Sequence, residues 1–280
     1  MSTFGTVRSL DGTRIAYERF GSGPAVVLVC GAMDDGTENA PLGLELASRF
    51  TVYNYARRGR GDSGDVAPYA VRREIEDLAA VIDEAGGSTH VFGACSGGAL
   101  ALEAAAAGVA MNRLVVYDLP YDMGADAEVQ HRRYIQRVRA LLDEGRRAEA
   151  FELSMRTWGS PEESVRRARK HAKWSHLISL AHTLPYDAAC MGTTNQPPAE
   201  RFSRIGVPTL VLNGSASQDH PTMSELRPNF FGEAADAVVA CVPSAQRGVV
   251  AEGPHVIDAE KLKGPIGDFL LDESPARTTM

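Results

Sequence analysis

The chain has 280 residues, 44% of them hydrophobic and 23% charged, which is the composition of a globular protein with one large α/β domain or two small ones. Its net charge of −7 argues against nucleic acid or an anionic membrane as the main partner. No apolar run approaches the roughly 18 residues of a membrane span, and the first residues, Met-Ser-Thr-Phe-Gly-Thr-Val-Arg, lack the apolar core of a secretory signal. The predicted elements begin with a hairpin, residues 4–10 and 13–20, turning at Asp11-Gly12. Gly21-Ser22-Gly23-Pro24 breaks the chain, and residues 25–30 form a continuous apolar run expected of a strand buried on both faces. A helix at 40–48 and a strand at 50–55 follow. Residues 71–85 are helical, because Ile75, Leu78, Ala79 and Ile82 recur at spacings of three and four. Next come a strand at 89–93, an Ala-rich helix at 97–107 and a strand at 113–118.

This alternation predicts a mainly parallel sheet with helices on both faces. The alternation then stops. Residues 122–198 carry no convincing strand, only helix-like blocks at 128–142, 147–158 and 162–182, and they read as a helical insertion. It resumes with a strand at 207–212, a helix near 223–231, a strand at 237–242 and a last helix at 259–271. The polar residues 272–280 read as a frayed end.

The four cysteines, Cys30, Cys95, Cys190 and Cys241, show no CxxC spacing. Neither a zinc site nor a disulfide framework is expected, and a reduced, cytoplasmic protein is. One cysteine falls in the most informative stretch, Gly93-Ala94-Cys95-Ser96-Gly97-Gly98, where a strand turns through glycines into a helix. This is the strand–turn–helix setting of a nucleophile elbow. Glycines two residues either side place Cys95 at the tip, over a helix N-terminus that favours negative charge. A second register puts Ser96 there, with Ala94 replacing the first glycine; glycine at both flanks favours Cys95.

Three further features belong with this turn. The apolar strand at 25–30 opens into Gly31-Ala32-Met33, so the amides of Ala32 and Ser96 are candidates for an oxyanion hole. His255, in Gly253-Pro254-His255, stands where a loop precedes the last helix. Acids sit at other strand ends: Asp118, and Asp219 beyond Gly214. The order Cys, Asp, His suits nucleophilic acyl chemistry on such a sheet.

With these residues the chain resembles an α/β-hydrolase-fold protein with a helical cap, over nearly its whole length. The loop Arg57-Arg58-Gly59-Arg60-Gly61-Asp62-Ser63-Gly64 is typical of that family, with Ala56 at a place usually taken by Asp. The resemblance implies a core of residues 1–121 and 199–280, a cap of 122–198, and a triad of Cys95, His255 and Asp118. Similar small bacterial hydrolases carry Gly-His-Ser-Ser-Gly-Gly at the elbow; here His has become Ala94 and Ser has become Cys95. Cys30 replaces the His that usually precedes Gly31. The family's acid commonly follows the strand after the cap as G-x-x-D, a place held here by Ser217. Some relatives, such as the haloalkane dehalogenases, use the end of the strand before the cap instead, which favours Asp118 over Asp219.

Other motifs carry little. Residues 59–64 match G-x-G-x-x-G, but no helix opens at the third glycine, so no dinucleotide site is expected. His131, His171, His176 and His182 read as solvated or packing residues, and Trp158, Trp174, Tyr186 and Met191 as packing of the helical segment rather than a cofactor site, with its aromatic residues also available to line a pocket. The expected function is a cofactor-independent hydrolase or acyltransferase acting on a hydrophobic ester, thioester or lactone, in specialised metabolism. The alternatives are a lyase, cyclase or carbon–carbon bond-forming enzyme of the same fold, and a non-catalytic binding protein. No metal is expected; the partner is a hydrophobic small molecule, and the protein a monomer or homodimer.

Overall fold

The computed structural model describes residues 2–272. The predicted frayed end therefore falls, apart from Asp272, outside the described residues. Strands β1 (Thr3–Arg8) and β2 (Arg14–Gly21) form the antiparallel hairpin. After them come β3 (Ala25–Val29), α1 (Ala40–Leu46), β4 (Thr51–Tyr55), α2 (Val71–Glu84), β5 (Thr89–Ala94), α3 (Ser96–Ala106) and β6 (Met111–Tyr117). Beyond the helical segment lie β7 (Thr209–Gly214), α10 (Phe230–Cys241), β8 (Ala245–Val250) and α11 (Ala259–Leu271). The described strands make one eight-stranded sheet in the order β1-β2-β4-β3-β5-β6-β7-β8. All pairs from β4 to β8 are parallel.

The central strands are mainly apolar because helices cover both faces, with polar residues such as His90, Asn112 and Arg113 near their starts. Successive side chains point to opposite faces. Val27, Val29, Val91, Leu114 and Val116 pack with α2, α3 and α10 on one side. Val26, Leu28, Phe92, Val115 and Tyr117 pack with α1 and α11 on the other.

Between β6 and β7 the chain is helical: α4 (Ala127–Asp143), α5 (Arg147–Thr157), α6 (Glu162–Ala168), α7 (Trp174–Leu180), α8 (Leu184–Cys190) and α9 (Ala199–Phe202). Tyr134, Val138, Leu141, Phe151, Leu184 and Ala188 belong to a separate apolar cluster here.

Two expectations need correction. Residues 237–242 are not a strand; most of them complete α10, and the last strand is β8. The run Ala-Val-Val-Ala-Cys-Val satisfies both periods, but Phe231, Ala234, Ala235 and Val238 are buried at helical spacing, and that face packs on β7 and β8. β8 escaped notice because it is an edge strand, and of its six residues only Val250 is fully buried. The helix expected near 223–231 begins only at Phe230, after Asn229 in a left-handed conformation.

Candidate active site

The turn between β5 and α3 places Cys95 in a conformation that few side chains adopt, φ 51° and ψ −127°. Such backbone costs on the order of 1–3 kcal/mol and persists only where the surroundings enforce it. The flanking glycines show how. A Cβ on Gly97 would lie 2.4 Å from the carbonyl oxygens of Val29 and Cys30, and one on Gly93 would lie 2.7 Å from Gly97 O. Only glycine lets α3 start this close to β3 and β5.

Ser96 does not occupy the tip. It is buried, and its hydroxyl donates to Asp187 Oδ1 (2.7 Å) and accepts from Arg57 Nη1 (3.1 Å). The backbone N–H groups of Ala32 and Ser96 have no hydrogen-bond partner among the described residues, and both residues line the same cavity as Cys95.

His255 follows β8, and its Nδ1 lies 3.0 Å from Asp118 Oδ2. Asp118 ends β6 with φ 47° and is fully buried. Its other side-chain contacts come from the end of β7 and the turn after it: Gly214 N–H donates to Oδ1 (3.0 Å) and Ser217 Oγ to Oδ2 (2.6 Å). Ser217 is the residue at the place where the acid was sought in the sequence. Its hydroxyl supports a carboxylate supplied from the neighbouring strand end. Asp219 lies two residues on, and no contact joins it to His255 among the described residues.

Cys95 lines the same cavity and also acts on the imidazole. Burial alone pushes the imidazole down, but the bond to Asp118 and the influence of Cys95 outweigh it and raise His255 to about 10. Phe231 stacks on the ring, with centroids 4.8 Å apart and planes 22° from parallel. The Tyr117 hydroxyl donates to Pro254 O at 2.5 Å and ties the His255 loop to β6.

Beneath the turn lies a buried charge network that the sequence did not announce. Arg57 grips Glu74 through two bonds (2.7 and 2.9 Å) and donates to Asp187 (2.8 Å). Arg60 donates to the same Asp187 oxygen (2.6 Å) and to Gly31 O. Burial opposes charge on Asp187, yet Arg60, Arg57 and the Ser96 hydroxyl hold its carboxyl below the usual range. Asp187 belongs to α8, so this network joins the helical segment to the elbow. Burial pushes the thiols of Cys30 and Cys190 up to about 12.

A cavity of about 350 Å³ lies between the helical segment and the ends of β3, β5 and β6. Cys95 and His255 line it, together with Met33, Phe151, Trp158, Leu184, Met191 and Phe231. Trp158 and Met191 thus face the cavity as well as packing. Trp174 packs on Phe151, and Tyr186 stacks on Tyr69. His131 is buried against Gly192 O, and His176 pairs with Asp35. Among the described residues no group of three or more His, Cys, Asp or Glu is placed to hold a metal ion, and no helix is long and apolar enough to cross a membrane.

The model of the alpha/beta hydrolase family matches residues 26–258, a span that contains the elbow, Asp118 and His255. The chain belongs to the alpha/beta hydrolase family. An alpha/beta hydrolase from Sphaerobacter thermophilus DSM 20745 is 42% identical to it, over 95% of this chain and 99% of that one, with a TM-score of 0.83. A thermophilic esterase from Thermogutta terrifontis is 23% identical over 96% and 98% of the two chains, with a TM-score of 0.68. An esterase from Rhodococcus sp. ECU1013 is 18% identical over 97% and 99%, also at 0.68. The two esterases share the fold. This family member has the α/β-hydrolase fold that its sequence led one to expect.

Proposed function

We propose that the protein is a cofactor-independent hydrolase or acyl-transfer enzyme for hydrophobic esters, thioesters or lactones, with Cys95 as nucleophile. Membership of the hydrolase family supports a hydrolytic reaction, and the esterase activity named for two of the similar structures agrees with it. The observation that carries the reading is His255 bonded to Asp118 on the wall of the same cavity that Cys95, at its strained tip, also lines. Cys95 Sγ, its proton passed to His255, attacks the carbonyl carbon, and the oxygen gains charge facing the Ala32 and Ser96 amides. The C–O or C–S bond to the leaving group then breaks, and His255 gives that group its proton. The thioester left on Cys95 is released by water, or by an alcohol or amine, with His255 taking the proton from the incoming group. Asp118 keeps the imidazole oriented and stabilises its charged form. Helices α4–α8 act as the cap that closes the apolar cavity over the acyl group.

Intact-mass measurement during turnover of a hydrophobic p-nitrophenyl ester tests this. An acyl adduct is expected on Cys95, absent from Cys95→Ala. Full turnover by Cys95→Ala with loss in Ser96→Ala would overturn it.

A further inference from the structure

The charged side chains on the cavity wall, apart from His255, are Asp34, Glu38 and Asp187; no Lys or Arg lines it. A second cavity across Tyr134, Trp158 and Leu226 does contain arginines, Arg156 and Arg227. Beneath the elbow Arg57 and Arg60 face Glu74 and Asp187, so those charges balance. Asp187 is nine-tenths buried, and its Oδ2 has no partner, so the wall keeps unused acceptor capacity on the side of Cys95. Glu38 stands at the exposed rim. Its carboxylate makes no hydrogen bond or ion pair among the described residues. Burial and the neighbouring Asp34 raise it, while His255 and the exposed Lys173 act on it from beyond contact distance. Asp35 is already paired with His176, at 3.2 Å. The same wall presents the aromatic rings of Tyr134, Phe151, Trp158 and Phe231.

A carboxylate or phosphate entering this cavity leaves water, meets no cationic side chain except His255, which is already bonded to Asp118, and faces the unpaired Glu38 carboxylate and the free oxygen of Asp187. An organic ammonium group meets those carboxyls and aromatic faces, which attract cations. We infer that the cavity is a charge filter: it admits uncharged substrates and organic ammonium groups, excludes carboxylate- or phosphate-bearing ones, and takes its preference from Glu38. This deepens the proposed function and rests on its assignment of Cys95 to the cavity.

The test uses Cys95 itself as the reporter. The cationic trimethylammonioethyl and anionic sulfonatoethyl methanethiosulfonates, which are of similar size, are compared at about pH 8, with the smaller neutral methyl reagent as the control for access to Cys95. Peptide mass mapping reads the rate at Cys95, and each rate is divided by that of 2-mercaptoethanol with the same reagent. The expected normalised ratio of cation to anion is about tenfold or more. It falls at least about threefold in Glu38→Gln, and it narrows in about 0.5 M salt. Brisk labelling with a ratio near one, or a ratio unchanged in Glu38→Gln, overturns the filter and leaves the Cys95 reading intact. Failure of the neutral reagent to label Cys95 in the folded protein overturns both.

Discussion

At the scale of single residues, Ser217 explains why the acid was hard to place from the sequence. The usual G-x-x-D position holds serine, and in the proposed triad the carboxylate comes from Asp118, just after the neighbouring strand β6. Ser217 donates to Asp118 Oδ2, the oxygen that also faces His255. Ser217→Ala removes that donor without touching the imidazole, and kcat is expected to fall about tenfold. His255→Ala is expected to lose about a hundredfold or more, the scale of general acid–base help. The raised His255 also makes a stability prediction. In the unfolded chain the imidazole loses its proton near its ordinary value of about 6.5, whereas in the folded protein it keeps it to about 10. Between those values the folded state binds more protons, so stability is complete below about 6.5 and declines as pH rises toward 10. Thermal melts across that window should show a falling Tm, with a shallower fall in Cys95→Ser because the substitution removes the thiol's share in raising His255. A slope as steep in Cys95→Ser would separate the shift from the thiol.

At the scale of elements, what the sequence disclosed depended on how local the signal was. β3, β5 and β6 were legible because strands buried on both faces carry short apolar runs, Val26–Val29, Val91–Phe92 and Leu114–Tyr117, and the elbow because its glycines are required within five residues of one another. α10 was misread because Ala-Val-Val-Ala-Cys-Val fits either period until the partner face is known. β8 was overlooked because edge strands need not be apolar. Asp187 has no local signature at all: its partners Arg57, Ser96 and Arg60 lie 130, 91 and 127 residues away. This tie between α8 and the elbow gives a prediction for the element as a whole. Asp187→Ala leaves Arg57 and Arg60 short of one buried counter-charge, which costs about 3–5 kcal/mol. Denaturant unfolding should show the loss. Asp187→Asn keeps the shape and an acceptor for Ser96, and should recover part of it. A variant of Asp187→Ala with wild-type stability would mean that the helical segment is held by its apolar contacts alone.

At the scale of the whole molecule, the sheet and the helical segment enclose the cavity together, and its size limits what the site accepts. About 350 Å³ corresponds to on the order of a dozen non-hydrogen atoms, taking roughly 30 Å³ for each as in liquid water. Rates on p-nitrophenyl esters are therefore expected to rise with acyl length to about eight carbons and to fall beyond about ten. Tyr134, Trp158 and Leu226 line both this cavity and the second one, of about 320 Å³, so they form the wall between them. Trp158 is the largest of the three, and its indole stands edge-on to Phe230 with centroids 6.4 Å apart. Trp158→Ala removes that partition. The acyl-length optimum should then shift to longer chains, and most for those with a polar end, since the second cavity is bordered by Asp122, Gln130, Arg156 and Arg227. The cost in stability is about 3–5 kcal/mol if the space stays empty, and less if the helices relax into it. The two results separate the roles of Trp158. An unchanged chain-length profile in a destabilised protein makes it packing for the helical segment alone, and a lengthened profile makes it the end wall of the acyl site.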